Sequence, residues 1–199
     1  MTSKDELPSV TILCEDIDQH TFIRQYLICQ GWESHQIKTL GNFKGTKTNN
    51  NAFVVNNYPE LVKSYRRNQY KNIAVVVMID GDGNTYEDKM RSFNIALDPT
   101  RGNLNQELRS RDEKIAIFVP ARNIESWFYY INNYEKNLQF DDEITDYKTT
   151  MSLEDRIKLA KNSAKILAQQ ICPRGIDQIT LPSLRHGCQE LQRLYSKSK

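Results

Sequence analysis

Carboxylate side chains follow apolar runs of the chain at the points where those runs end. Glu15 comes directly after residues 9–14, and Asp80 and Asp82 come at the end of residues 73–79. Carboxylate oxygens are the ligands that the hard ion Mg²⁺ prefers, with waters and substrate phosphates completing its shell. Because the three carboxylates would repel one another if they met without a cation, the pattern predicts a site for Mg²⁺ or Mn²⁺.

A third apolar run, residues 115–119, is closed by Pro120 and followed by Arg122 and Glu125. We expect Glu125 to reach the same site as a further metal-ligating carboxylate. Arg122 would lie at a strand end beside the carboxylates, where a guanidinium can contact a phosphate. Three strand ends would then deliver charged side chains to one edge of a sheet.

The stretch Asp80-Gly-Asp-Gly-Asn84 has other interpretations, since Asp and Gly after a strand are also ordinary turn residues. An EF-hand loop requires Gly at its sixth position and Glu at its twelfth, where this chain has Thr85 and Arg91. A phosphatase of the haloacid dehalogenase type resembles Asp-x-Asp-x-Thr/Val, and Asn84 breaks that pattern. A simple turn and the Asp-x-Asp metal site of a nucleotide-sugar transferase both remain open.

Strand and helix patterns alternate along the chain, which is typical of an α/β fold with a parallel sheet. Short apolar runs predict strands at residues 9–14, 35–40, 73–79 and 115–119. Amphipathic patterns predict helices at about 18–30, 59–69, 86–97, 103–110 and 123–131, a helix that opens at Ser152, and a last helix at 183–195. Asp18 is the predicted N-cap of the first helix.

The predicted fold is a Rossmann-like parallel sheet of about four strands flanked by helices. Residues 1–135 would form this α/β domain, and residues 136–199 would form an acidic loop and a C-terminal helical extension that packs on it. Ligands of such sheets bind beyond the carboxyl ends of the strands. The positions of Glu15, Asp80 and Glu125 are therefore consistent with a shared site.

This arrangement resembles the Toprim domain of topoisomerases, primases and OLD-type nucleases. That family has a Glu at the end of a first strand, here Glu15 in TILCED, and Asp-x-Asp at the end of a later central strand, here Asp80 and Asp82 in VVVMIDGD. The segment at 117–131, IFVPARNIESWFYYI, is similar to a Pro-x-x-x-Ile-Glu-x-Trp segment of small stand-alone Toprim-like proteins of prokaryotes. A third Asp, common in the family, is absent unless Asp88 serves.

The resemblance implies Mg²⁺-dependent phosphodiester chemistry on DNA or RNA, with Glu15, Asp80 and Asp82 as catalytic and metal-binding residues. It also implies a role in phage defence, together with a partner ATPase or another defence protein. The sequence itself contains no Gly-rich Walker loop that would bind a nucleotide. A non-catalytic interaction or regulatory subunit of a defence or nucleic-acid-processing complex is the alternative. No tyrosine nucleophile can be singled out, so topoisomerase activity is not supported.

Basic side chains would neutralise the nucleic-acid backbone. The candidates besides Arg122 are Lys44 and Lys47, in a loop rich in glycine and asparagine, and Arg66 and Arg67, on the exposed side of a predicted helix. A solvated loop and helix face is the alternative interpretation of this stretch.

The formal net charge of +2 conceals alternating blocks. Residues 1–33, 34–79, 80–154 and 155–199 carry net charges of −4, +6, −6 and +6. The acidic blocks hold the proposed metal ligands and the basic blocks hold most candidate phosphate contacts, so near-neutrality does not exclude a polyanionic partner.

The composition predicts a protein of the cytoplasm. Its sequence contains no apolar run of about 18 residues and no apolar segment of the signal-peptide kind near residue 1. Its four cysteines lack CxxC spacing, as expected of reduced thiols, and we expect Cys14 and Cys29 to be buried. Cys172, His186 and Cys188 are a weak candidate for a zinc site, because only three ligands are present and their spacing is not diagnostic.

Overall fold

The structure is a computed structural model. It describes residues 7–41, 43, 50–97, 109–110, 112–134, 145, 147–148, 151–175, 177 and 179–195, without the side chains of Asn94 and Leu97. Within those residues the fold is α/β, with one parallel sheet of four strands in the order β2-β1-β3-β4. The predicted fold class is therefore confirmed.

The strands match the predicted runs to within two residues at each end. They are β1 (Ser9–Leu13), β2 (Ile37–Leu40), β3 (Ile73–Met78) and β4 (Ile115–Phe118). β1 pairs with β2 and with β3 in parallel register, so that Leu13 lies opposite both Leu40 and Val77. Every residue of β3 after Ile73 is buried, as expected for a central parallel strand.

Helices cover both faces of the sheet. They are α1 (Ile17–Cys29), α2 (Asn51–Arg67), α3 (Tyr86–Leu97), α4 (Ile124–Asn133), α5 (Leu153–Ile166) and α6 (Pro182–Leu191). One apolar core joins β1, β3 and β4 to α1, α4, α5 and α6, and it includes Trp127 and Phe128. The other core lies on the opposite face under α2 and α3. A π-helical turn (Leu167–Ile171) and a 3₁₀ turn (Cys172–Arg174) continue α5.

Two predicted helix starts are wrong. Asp16, rather than Asp18, caps α1, because its carboxylate accepts from the backbone N–H groups of Asp18 and Gln19 at 3.1 and 3.0 Å. α2 begins at Asn51, eight residues before the predicted start at Pro59. A proline inside a helix costs about 3 kcal/mol. Side chains of the same helix, including Val54 and Tyr58, are buried in the core, and the free energy of their burial offsets this cost.

Most of the helix predicted at 103–110 lies outside the described residues. The last predicted helix ends earlier than expected, since α6 stops at Leu191 and a 3₁₀ turn (Gln192–Tyr195) follows. Cys14 is buried as expected, whereas Cys29 is only half-buried.

Side chains cover the outer edge of β4. The Glu190 carboxylate of α6 accepts from the backbone N–H of Ile117 at 2.9 Å. Arg109 donates to the carbonyl of Ile115 at 2.8 Å and forms an ion pair with Glu190. A guanidinium and a carboxylate thus take up backbone groups that a fifth strand would otherwise use.

Candidate active site at the carboxyl edge of the sheet

Glu15 and Asp80 lie at the point where the direction of the chain through the sheet reverses. β1 leads through α1 to β2 on one side, and the adjacent β3 leads through α3 to β4 on the other. The two loops that follow β1 and β3 therefore diverge and leave a crevice at the carboxyl edge. In open α/β sheets this crevice is where ligands bind.

Hydrogen bonds join Glu15 and Asp80 across the crevice, each carboxylate to the backbone of the other residue, directly or through Gln19. The backbone N–H of Asp80 donates to Glu15 Oε1 at 2.8 Å. The Gln19 amide bridges the pair, since its Nε2 donates to Asp80 Oδ1 at 2.7 Å and its Oε1 accepts from the backbone N–H of Glu15 at 3.0 Å. Gln19 is not among the residues predicted from the sequence, although its position four residues after Glu15 on the first turn of α1 is a signal for it.

Both carboxylates are held where ionisation is costly. Burial raises the pKa of Glu15 to about 7, with a further contribution from the charge of Asp82 and an opposing one from the Asp80 N–H. Burial also raises the pKa of Asp80 well above its usual range, and the nearby Glu15 raises it further. A cation bound between them would remove this cost.

Asp82 is held at the rim by the loop between β3 and α3. That loop packs against the loop after β4: Gly81 N–H donates to the Pro120 carbonyl at 2.7 Å and Asp82 N–H to the Arg122 carbonyl at 3.0 Å. A Cβ on Gly81 would lie 2.3 Å from the Ala121 carbonyl oxygen, so only glycine permits this approach. The Asp82 side chain is 60% exposed and lies 3.5 Å from Lys89 Nζ.

Glu125 is fully buried on the first turn of α4. Burial raises its pKa to about 7, although the charge of Lys148 opposes the shift. Neither carboxylate oxygen has a hydrogen-bond partner among the described residues, and the closest ion-pair contact is Arg156 Nε at 3.5 Å. A buried carboxylate whose two oxygens accept no hydrogen bond could coordinate a bound ligand.

Two cations from the C-terminal part of the chain reach into this cluster. Lys148 Nζ donates to Asp16 Oδ2 at 2.6 Å, and Arg156 Nε donates to Asp18 Oδ2 at 2.8 Å. Although burial opposes it, the charge of Asp16 raises the pKa of Lys148 and keeps the amine protonated. Neither cation is among the site residues predicted from the sequence.

The structure brings the four predicted metal ligands to the same edge of the sheet, but only Glu15 and Asp80 are in direct contact. In the described part of the chain, no three Asp, Glu, His or Cys side chains converge closely enough to hold a metal ion. Mg²⁺ is usually held by one or two carboxylates together with waters and substrate phosphates. The oxygen donors of Glu15 and Asp80, with the unpartnered oxygens of Glu125 nearby, fit that ion.

The predicted phosphate contacts are divided between two edges. Arg122 lies at the carboxyl edge beside Gly83, and its side chain forms no hydrogen bond or ion pair with another described residue. Arg66 lies at the opposite end of the sheet, where it binds Glu113 through two bonds of 2.5 and 3.0 Å. Arg67 is the next residue at the same helix end. Lys44 and Lys47 fall outside the described residues.

Among the described residues, no helix is both long and apolar enough to span a membrane. Comparisons of the chain with family models, with curated proteins and with solved structures gave no match. Function must therefore be argued from the geometry at the carboxyl edge.

Proposed function

We propose that this protein is a Mg²⁺- or Mn²⁺-dependent nuclease of the cytoplasm that hydrolyses phosphodiester bonds of DNA or RNA. One observation carries the proposal: Glu15 and Asp80 meet in the crevice between β1 and β3 without an ion pair to any described residue. Their neighbours Asp16, Asp18 and Asp82 are each paired with a Lys or Arg. Since no Lys or Arg among the described residues pairs directly with these two side chains, they are where a divalent cation would bind.

Each side chain has a role that follows from its surroundings. Glu15 and Asp80 would hold the metal ion, with Asp82 and Glu125 as further carboxylates at the same edge. A bound Mg²⁺ supplies Lewis acidity and lowers the pKa of a coordinated water. With a pKa of about 7, Glu15 can accept or relay a proton near neutral pH.

Gln19 and Arg122 complete the proposed site. Gln19 fixes the Asp80 carboxylate by donating to one of its oxygens, which leaves the other for a ligand. Arg122 has no partner for its side chain among the described residues, so it is available to bind a phosphate of the substrate. The resemblance to Toprim proteins supports the same chemistry and extends the proposal to phage defence with a partner ATPase.

The test is cleavage of single- and double-stranded DNA and RNA by the full chain, in Mg²⁺, in Mn²⁺ and in EDTA. We expect metal-dependent cleavage that Asp80→Ala and Glu15→Ala reduce by at least about 100-fold, the usual contribution of a positioned catalytic group. Glu154→Ala is the control, since Glu154 is exposed on α5, where it pairs with Lys158. Cleavage by Asp80→Ala at the parental rate would overturn the proposed site.

A second candidate is a non-catalytic binding subunit. The observation that favours it is the internal neutralisation of Asp16, Asp18 and Asp82 by Lys148, Arg156 and Lys89, which a purely structural cluster would also require. Nucleic-acid binding in EDTA that Asp80→Ala leaves unchanged, with no cleavage in either metal, would favour this candidate.

A further inference from the structure

Two cysteine thiols lie in contact on the face of the molecule opposite α2 and α3. Cys172 belongs to the 3₁₀ turn that ends the α5 segment, and Cys188 lies on α6. Their Sγ atoms are 3.7 Å apart, and both cysteines are free thiols. The pair therefore bridges two helical segments that the chain connects through residues 173–187.

His186 does not join these thiols. Its ring packs on Tyr86 with centroids 4.0 Å apart, and its Nε2 lies 3.9 Å from Glu190. The zinc site considered from the sequence therefore loses its third ligand, and the pair is left as a dithiol.

The two thiols are in different surroundings. Cys172 is half-buried and lines an open cleft of about 260 Å³, together with Gln30 and Tyr195. Cys188 lines the same cleft but is only 3% exposed, among core residues. Cys172 is therefore the more open of the two thiols to a small oxidant.

Hydrogen bonds favour the thiolate at Cys172. The Tyr26 hydroxyl donates to its Sγ at 3.7 Å, and the Cys188 thiol is within the same distance. The hydrogen bond from Cys188, together with that from Tyr26, lowers the pKa of Cys172 although burial opposes the shift. The same contact with Cys172, with burial, raises the pKa of Cys188. A partly exposed cysteine whose thiolate is favoured, next to one whose thiol is favoured, is the arrangement of an attacking and a resolving cysteine.

We propose that Cys172 and Cys188 are an oxidation site, where hydrogen peroxide converts the dithiol into an intrachain disulfide. The Cys172 sulfur attacks one peroxide oxygen, the O–O bond breaks, and Cys172 sulfenic acid and one water form. The Cys188 sulfur then attacks the sulfenic sulfur, the S–O bond breaks, and the oxygen leaves as a second water with the thiol proton. Two sulfurs lose one electron each and the peroxide gains two.

Closure of the disulfide requires a local movement of the chain. The thiols must approach from 3.7 Å to the disulfide length of about 2.05 Å. Cys172 lies between a π-helical turn and Gly175, whose φ is +108° and whose Cβ position is open. The segment is not in the middle of a regular helix, so a small local shift breaks no regular α-helical ladder.

The test is oxidation of the folded full chain with hydrogen peroxide, followed by intact mass and non-reducing peptide mapping. We expect a loss of about 2 Da, a Cys172–Cys188 linked peptide, and reversal by dithiothreitol. Cys172→Ser and Cys188→Ser should each lose the linkage, whereas Cys29→Ser, which removes another half-buried thiol, should retain it. The melting temperature of the oxidised parent should rise by roughly 5–10 °C, as for a loop of this length.

The parent protein alone can overturn the proposal, so the result does not depend on whether a variant folds. Sulfinic or sulfonic acid at Cys172 without the linked peptide would refute it, as would a disulfide between two molecules. Retention of both thiols under conditions that oxidise the urea-unfolded chain would refute it as well. The proposal is independent of nuclease activity.

Discussion

Gln19 gives the buried Asp80 carboxylate a hydrogen-bond donor that carries no charge. A Lys or Arg at this position would cancel the charge of Asp80, as Lys148 and Arg156 do for the neighbouring Asp16 and Asp18. An amide orients the carboxylate and leaves its charge in place. The choice of glutamine therefore preserves the attraction of Asp80 for a cation from solvent.

Glu125 offers a test of the electrostatics through pH. Its folded pKa of about 7 exceeds the ordinary value of 4.5, so between these values the folded state holds a proton that the unfolded state has released. The metal-free protein should therefore lose stability as the pH rises through this window. Glu125→Gln should remove that part of the slope and gain about 2 kcal/mol relative to the parent between pH 5 and pH 8, with nearby Arg156 limiting the effect.

Urea unfolding at pH 5, 6, 7 and 8 in EDTA measures this slope. Glu154→Gln is the matched control, because Glu154 is exposed and pairs with Lys158 one turn away. If the free energy of unfolding changed with pH equally in the parent and in Glu125→Gln, Glu125 would ionise as freely in the folded state as in the unfolded one.

At the scale of elements, the contact between the β3–α3 and β4–α4 loops holds Asp82 at the rim. Gly81→Ala would place a methyl group 2.3 Å from the Ala121 carbonyl oxygen and 2.6 Å from the Pro120 carbonyl oxygen. Both oxygens belong to the backbone, so neither can turn away as a flexible side chain would. We expect a loss of about 2–3 kcal/mol in the free energy of unfolding, because the loops must separate. The shift in melting temperature that Mg²⁺ produces should decrease as well.

Gly175→Ala is the control for this substitution. Gly175 has a φ of +108°, but an added Cβ there meets no atom within 4 Å, so it carries only the backbone cost of about 1 kcal/mol. Urea unfolding of both variants, with and without Mg²⁺, separates the effect of the clash between the loops from the backbone cost of replacing a glycine. Equal stability of the two variants, with the same response to Mg²⁺, would contradict the role of the loop contact.

The sequence predicted the elements better than their ends. All four strands were found because each is a short apolar run, and Ser152 was correctly identified as the start of α5, where it caps Asp155 N–H at 3.2 Å. The start of α1 was misplaced because Asp16 and Asp18 are equally good caps by residue type. The start of α2 was misplaced because a proline resembles a first-turn residue, and its tolerance depends on burial that the sequence does not display.

At the scale of the whole molecule, Lys148, which precedes α5 in the chain, forms an ion pair at the carboxyl edge of the sheet. Lys148→Gln should cost about 1 kcal/mol of stability without metal, because the amine is partly exposed and pairs with Asp16. It should also strengthen Mn²⁺ binding several-fold, since Lys148 adds positive charge near Asp80 and Glu125.

Calorimetric titration with Mn²⁺ measures this change in affinity. Lys158→Gln is the control, because Lys158 pairs with Glu154 on the exposed side of α5. Unchanged or weaker Mn²⁺ binding by Lys148→Gln would indicate that the metal does not share the electrostatic field of Lys148.

The sequence predicted which carboxylates reach the edge but not how they are compensated. Glu15 and Asp80 follow strands directly, so the parallel sheet itself places them together. Lys148 and Arg156 lie more than a hundred residues after their partners, and the packing of α5 on α1 and α4 brings Arg156 to Asp18. Arg66 was misjudged for the same reason, since its partner Glu113 is distant in sequence.

The covered edge of β4 has a consequence for how molecules meet one another. An exposed parallel strand is a template on which a second chain can add its own strand, and such growth leads to aggregates. Here Glu190 and Arg109 already hold the N–H of Ile117 and the carbonyl of Ile115. A neighbouring chain would have to displace a buried ion pair before it could pair there, so this side of the sheet is protected against self-association at high protein concentration.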